Sequence, residues 1–318
     1  MTDLRFDGKV AIVTGGGRGL GRSHATLLAG RGAKVVINDL GSHGFGYGSS
    51  ADRASEAVAE IRAAGGDAVA HFGDVSSEDD TRALIDLALD RYGRIDIVVN
   101  NAGINRFIPF AEMTREQFES MLRVHVLGSF LVTRAAWPHF VKQGYGRVVM
   151  TSSTGMMGLE HHAHYSAAKG GVVGLVKALG IEGRPAGITV NGIFPQAATP
   201  LFVDCLSEED RMPESLRDLP SQLAGADASP ELVSPVVGWL AHEDCPTSGE
   251  MFSVGFGWVG RVSICQNAGF ADAKLSMESV REQWSTVCAD GPQSVITNTI
   301  DALLGQYTGA KAGSEARG

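Results

Sequence analysis

Tyr165 and Lys169 stand four residues apart in the run Tyr165-Ser166-Ala167-Ala168-Lys169. That spacing places a phenol and an ammonium on one face of a helix. A free phenol ionises near pH ~10 and is a poor base at neutrality. A cation beside it favours the phenolate and turns it into a usable proton acceptor. Taken alone, the pair is an ordinary feature of an amphipathic helix. Upstream, however, Thr14-Gly15-Gly16-Gly17-Arg18-Gly19-Leu20-Gly21 follows the apolar run Val10-Ala11-Ile12-Val13 and leads into Leu20, His24, Leu27 and Leu28 at helical spacing. Strand, glycine turn and helix form the context of a phosphate cradle. The glycines let backbone approach a pyrophosphate, and the helix N-terminus offers unpaired N–H donors. Cradle and phenol together imply proton transfer beside a bound dinucleotide.

These residues need a scaffold, and the hydrophobic pattern supplies one. Strand patterns at 10–14, 34–38, 68–73, 95–100, 147–152, 189–194 and 251–254 alternate with helical patterns at 20–30, 50–64, 77–92, 114–143 and 163–182. Alternation of this kind predicts an α/β fold: a Rossmann-type, doubly wound parallel sheet with helices on both faces. The glycine- and serine-rich segment 41–50 reads as a flexible loop after the second strand. Residues 1–260 read as one domain. Residues 261–318 lie beyond the last expected strand and read as a C-terminal extension, with an amphipathic stretch at 277–287 and a frayed tail at 309–318.

The 318-residue chain is 44% hydrophobic, enough to bury a large core. Its net charge of −9 gives no attraction to nucleic acid or an anionic membrane. Cys205, Cys245, Cys265 and Cys288 are widely spaced and form no CxxC pair, as expected for reduced thiols. The first strand starts too early to leave room for a leader, and no apolar run reaches membrane-spanning length. A cytoplasmic protein is expected.

In combination these strings resemble the short-chain dehydrogenase/reductase family. The resemblance rests on the glycine turn, Asn100-Asn101-Ala102-Gly103, Ser152-Ser153, Tyr165 with Lys169, and Pro195 with Thr199. It covers residues 8–260 in order. A narrower likeness is to the dehydrogenase part of the type 2 peroxisomal multifunctional enzymes. It rests on residues 124–130 and 133–139, Asn38-Asp39-Leu40-Gly41, Ile181-Glu182-Gly183-Arg184 and Gly255-Phe256-Gly257-Trp258. The resemblance implies hydride transfer between a nicotinamide cofactor and a secondary alcohol or ketone. The narrower likeness implies (3R)-3-hydroxyacyl-CoA or hydroxysteroid substrates. This chain ends where that branch continues into a hydratase domain, so a stand-alone dehydrogenase is expected.

By this resemblance Tyr165 accepts the alcohol proton, Lys169 supports it and binds the nicotinamide ribose, and a serine positions the substrate oxygen. Counting back from Tyr165 by the family's usual interval selects Ser152; counting forward from Gly146 through the strand selects Ser153. A deletion is tolerated better in a loop than in a buried strand, which favours Ser153 and leaves Ser152 as the alternative. Cofactor contacts are expected from Gly15, Gly17, Arg18, Gly19, Leu20, Gly21, Asp39, Asp74, Val75, Asn101, Ala102, Gly103, Pro195 and Thr199, together with Tyr165 and Lys169. A carboxylate at Asp39 suits the adenosine ribose hydroxyls and repels a 2′-phosphate, so NAD is expected. Arg18 points the other way, toward an NADPH-dependent reductase of a small ketone or quinone. A third reading is a non-catalytic dinucleotide-binding regulator, which would have no use for the serine, tyrosine and lysine.

Other residues carry weaker signals. His125 stands where many family members have a helix asparagine; a proton relay and a satisfied core histidine are both open. His161, His162 and His164 cluster beside Glu160 but match no structural zinc spacing, so no metal is expected. Met156 and Met157 suit an apolar substrate wall. Residues 199–219 correspond to the family's substrate lid. Apolar residues over more than one face of 114–143 and 163–182 suggest a homodimer or homotetramer.

Overall fold

The computed structural model describes residues 3–46, 48–206, 212–272 and 274–315. They form two compact units, residues 1–261 and 262–318. The first unit opens with β1 (Val10–Thr14), α1 (Gly19–Gly30), β2 (Lys34–Asn38), α2 (Asp52–Ala63), β3 (Asp67–His71), α3 (Glu78–Tyr92) and β4 (Ile97–Asn100). It continues through α4 (Arg115–Leu122), α5 (Gly128–Gln143), β5 (Gly146–Thr151), α6 (Ala163–Glu182) and β6 (Ile188–Gln196). Short helices α7 (Pro200–Leu206), α8 (Glu214–Arg217) and α9 (Leu219–Gln222) precede α10 (Ser234–Ala241), β7 (Met251–Gly255) and β8 (Trp258–Val262).

The sheet order is β3-β2-β1-β4-β5-β6-β7-β8, and neighbours from β3 to β7 pair in parallel. Parallel strands covered on both faces must be apolar throughout. Ile12, Val13, Val35, Val36, Ile37, Val98, Val99, Val148 and Val149 are accordingly fully buried. Each contributes about 1.5–3 kcal/mol by leaving water. Strand order reverses between β1 and β4. At such a switch point the carboxyl ends of the strands splay and leave a crevice.

Three expectations are corrected. The helix expected over 114–143 is two helices. Thr114 caps α4 through a capping box with Gln117, but a π-helical turn, Arg123–Leu127, interrupts the run before α5. The apolar pattern runs through this turn unbroken, so hydrophobicity could not reveal it. Second, the strand at 251 is not the last. Phe256 and Gly257 both take left-handed φ, 54° and 76°, the conformation of a tight hairpin turn, and β8 extends the sheet. Third, the extension is more than one amphipathic stretch. Within the second unit β9 (Ile264–Asn267) pairs antiparallel with β10 (Gln293–Ile296). That unit also holds α11 (Met277–Glu282), α12 (Trp284–Val287) and α13 (Thr299–Glu315). Most of the stretch read as a frayed tail is therefore helical; residues 316–318 lie outside the described residues. Among the described residues, no helix is long and apolar enough to cross a membrane.

Candidate active site

A cavity of about 1100 Å³ opens at the carboxyl ends of the strands in the first unit. Of the residues expected from sequence to bind cofactor or to act in catalysis, all but Gly17 and Gly21 line it. Those two act from behind. An added Cβ on Gly21 would overlap the Gly15 carbonyl. Gly15 itself has φ +61° and lies so close to β4 that a Cβ would fall 2.8 Å from the Ala102 Cα. A side chain at either position would fill the cradle.

The turn is tied to its neighbours by hydrogen bonds. Asn101 Nδ2 donates to the carbonyls of Thr14 (3.0 Å) and Gly15 (3.1 Å). The amides of Asn101 and Ala102 donate back to Thr14 Oγ1 at 3.0 and 3.1 Å. Asn101 is thus a brace between β1 and β4 at the cavity floor. Asp39, at the end of β2 and 8% exposed, accepts one N–H at each carboxylate oxygen: Gly17 at 2.8 Å and Gly41 at 2.7 Å. Each oxygen keeps acceptor capacity toward the cavity. Asp74 accepts the Ser76 amide and hydroxyl, both at 2.8 Å. Arg18 forms an ion pair with Asp204 of α7, Nη1 to Oδ2 at 3.5 Å. These features fit a dinucleotide: a backbone cradle that any Cβ would obstruct, and an anchored carboxylate beside it.

The catalytic candidates converge from β5 and α6. Lys169 is buried, and its Nζ donates to the Thr151 carbonyl at 2.7 Å. The ammonium sits 5.4 Å from the Tyr165 ring centroid. Burial in apolar surroundings penalises its charged form and lowers its pKa to about 7. The two serines take different positions. Ser152 is 1% exposed, and its hydroxyl donates to the Lys169 carbonyl at 2.8 Å. Ser153 is only partly buried, and its Oγ accepts the Gly155 amide at 3.0 Å, which leaves its own hydroxyl proton for another acceptor.

Aromatic rings line up around Tyr165. His125, carried on the π-helical turn, meets it edge-on with centroids 5.4 Å apart. The His125 Nε2 lies 2.7 Å from the Ile104 carbonyl, so that nitrogen carries the proton. Burial, and then the Lys169 charge, push His125 well below its ordinary pKa. This is the hydrogen bonding of a satisfied, neutral core histidine. His162 stacks on Tyr165 at 4.9 Å and on Phe107 at 4.5 Å.

Sequence reasoning missed this role of His162, which had read as part of a loop cluster. No signal could have placed it, because Phe107 is remote in sequence. His162 is 4% exposed, and neither ring nitrogen has a hydrogen-bond partner among the described residues. A buried polar group left so costs about 1–3 kcal/mol. Ser42, His43, Phe45 and Gly46 of the glycine-rich loop also prove to wall the cavity, with Arg106 Nη2 donating to the Phe45 carbonyl at 2.5 Å and the Asn105 amide to the Gly44 carbonyl at 3.0 Å. Among the described residues no three His, Cys, Asp or Glu side chains group as metal ligands would.

A family model described as short chain dehydrogenase matches residues 9–209. The chain belongs to the short-chain dehydrogenase family. As a member it is an oxidoreductase acting on CH–OH groups. This dehydrogenase is 44% identical over 305 residues to the peroxisomal multifunctional enzyme type 2 of Mus musculus, which covers 93% of the chain but only 39% of that enzyme. It is 42% identical over 281 residues to a short-chain type dehydrogenase/reductase of Mycobacterium tuberculosis, covering 88% of the chain and 93% of the relative. Among solved structures it is similar to the full-length peroxisomal multifunctional enzyme type 2 from Drosophila melanogaster, with TM-score 0.75 and 31% identity, covering 98% of this chain and 50% of that one. It is also similar to a short chain dehydrogenase from Mycobacterium paratuberculosis bound to NAD, with TM-score 0.72 and 29% identity, covering 80% and 98%. The chain therefore spans half or less of these two type 2 multifunctional enzymes.

Proposed function

We propose that this dehydrogenase is NAD-dependent and interconverts a secondary alcohol and a ketone on (3R)-3-hydroxyacyl-CoA or a hydroxysteroid. The observation that carries the chemistry is the buried Lys169 ammonium beside Tyr165 in a cavity that also holds Ser153. In the oxidative direction Tyr165 takes the alcohol proton, and Lys169 favours the phenolate that receives it. Ser153 donates its hydroxyl proton to the substrate oxygen and orients it. Ser152, whose proton is engaged by the Lys169 carbonyl, positions the lysine. When bound, the nicotinamide supplies the acceptor for the hydride leaving the carbinol carbon. The glycine turn, Asp39, Asp74, Val75, Pro195 and Thr199 would hold that cofactor.

Two observations support NAD over NADPH. Asp39 presents an anchored carboxylate where a 2′-phosphate would need a cation, and Arg18 already has Asp204 as a counter-ion. The assembled serine, tyrosine and lysine support an enzyme over a non-catalytic regulator. The likeness to the multifunctional enzymes supports the acyl-CoA substrate, and we rank it ahead of the steroid. Free thiols at Cys245, Cys265 and Cys288 support a reducing compartment, for which we propose the cytoplasm. Exposed Phe130, Val141 and Ile181 on α5 and α6 support a homodimer or homotetramer.

The test is NADH formation with (3R)- and (3S)-3-hydroxyacyl-CoA and a 17β-hydroxysteroid, run on wild type and Tyr165→Phe. Fast turnover of the (3R) thioester, reduced about 10²-fold or more in the variant with NADH binding unchanged, is the expected result. Wild-type kcat in Tyr165→Phe would refute the assigned chemistry.

A further inference from the structure

We infer that Arg106 is a positioning residue that fixes the glycine-rich loop as a roof over the phosphate cradle, so that a dinucleotide enters and leaves only when this tether breaks. The inference rests on the reading of the cavity as a dinucleotide site. The loop has a closed neck. The Ser50 amide donates to the Leu40 carbonyl at 3.1 Å, and Gly41, with φ +72°, lies so close to Ser50 that a Cβ would overlap its carbonyl oxygen. This neck stands beside the Asp39 carboxylate, because the Gly41 amide also donates to Asp39 Oδ1 at 2.7 Å. The tip rests on the segment that follows β4. Arg106 Nη2 donates to the Phe45 carbonyl at 2.5 Å, and its guanidinium lies 5.6 Å from the Phe45 ring centroid. The Asn105 amide donates to the Gly44 carbonyl at 3.0 Å, and a Cβ on Gly46 would fall 3.3 Å from Ile104 Cγ2.

The two anchorages decide where the loop runs. In the sheet β1 lies between β2 and β4, and the chain leaves β1 through the glycine turn. Neighbouring strands are about 4.8 Å apart, so a loop that leaves β2 and rests on chain beyond β4 spans roughly 10 Å across that turn. Ser42, His43, Phe45 and Gly46 line the same cavity as Gly15, Arg18 and Gly19. The span is closed from α7 as well. A Cβ on Gly44 would fall 2.8 Å from Asp204 Oδ2 and 3.0 Å from Leu201 Cδ1, and Asp204 is ion-paired with Arg18 of the turn. A pyrophosphate held on the glycine turn therefore lies beneath the loop. Every bond in the tether joins protein groups, so breaking it opposes entry and exit alike. An interaction that does not distinguish the bound from the free state changes both rates and leaves the equilibrium nearly untouched. Within the tether from 104–106, the Arg106 bond is the one made by a charged side chain, so a substitution can remove it.

The full chain, as wild type, Arg106→Met, Arg106→Lys and Asp204→Asn, would be mixed with NADH and with NADPH in a stopped-flow fluorimeter to give association and release rates. Melting temperature reports whether each variant keeps its fold, and hydrogen exchange reports opening of residues 41–46 directly. Arg106→Met is expected to raise the association and release rates of NADH about tenfold each, with Kd changed by less than about threefold, for the loss of one hydrogen bond from a charged donor. Lysine should restore part of the slow exchange. Asp204→Asn, which loosens the roof from α7, should speed both rates by about threefold. Amides of residues 41–46 should exchange faster in Arg106→Met while those of β1 and β4 stay protected. Unchanged rates would overturn the inference. So would a release rate and a Kd that rise together, which would make Arg106 a direct contact to the cofactor. A wild type that binds NADPH and not NADH, with this Arg106 effect on both rates, would keep the roof and remove NAD from the proposed function. A wild type that binds neither overturns both.

Discussion

Replacing Lys169 by methionine is expected to stabilise the ligand-free protein while removing most turnover. Lys169 is 3% exposed, and its ammonium donates to the Thr151 carbonyl at 2.7 Å. Its pKa falls from an ordinary 10.5 to about 7 because burial penalises the charge. At about 1.4 kcal/mol per pH unit, holding that proton in the folded state near neutrality costs roughly 5 kcal/mol. Methionine has similar volume and no charge, and loses one hydrogen bond of about 1 kcal/mol, so a net gain near 4 kcal/mol is expected at pH 7. The sign with pH follows from linkage. Between about pH 7 and 10.5 the unfolded chain binds the proton and the folded chain does not, so the wild type gains stability as pH rises. Below about pH 7 both states are protonated and the penalty is constant. The advantage of Lys169→Met should therefore be largest at pH 6–7 and shrink to less than about 1 kcal/mol by pH 9.5. Urea unfolding of both proteins across pH 6–9.5 measures it directly. Equal stabilities at pH 7, or a difference that does not change with pH, would refute a desolvated lysine at this site.

Separating the two serines needs paired measurements. Ser153→Ala should lower kcat about 10²-fold with little change in melting temperature. Ser152→Ala should keep kcat within a few-fold and lose about 1 kcal/mol of stability, since its hydroxyl holds the Lys169 carbonyl; the reverse pattern would assign the substrate contact to Ser152. Asp39→Asn, which keeps an acceptor for the Gly17 or Gly41 amide, should reduce the preference for NADH over NADPH by about tenfold or more. An unchanged kcat/KM ratio for the two cofactors would mean that discrimination lies elsewhere.

Much of this protein is local, and local features are legible in a sequence. The strands at Val10–Thr14 and Lys34–Asn38 and the helix Ala163–Glu182 fall where the pattern put them, because a strand covered on both faces must be apolar throughout and a glycine turn can only follow such a strand. Tyr165 and Lys169 are one helical turn apart in any helix, so their pairing was settled by spacing. What the linear pattern could not carry are the choices that depend on distant neighbours. Hydrophobicity does not distinguish an α turn from the π turn at Arg123–Leu127, since both bury the same residues. Arg18 is a bare cation in sequence and half of an ion pair with Asp204 in the fold. Ser152 and Ser153 are adjacent and chemically identical; only the strand's exit angle turns one toward the Lys169 carbonyl and leaves the other on the cavity wall. Tertiary structure also decided burial, which sets the charge state of Lys169 and leaves the nitrogens of His162 without partners. Backbone propensities act over a few residues, whereas desolvation is created by every chain segment that closes over a side chain.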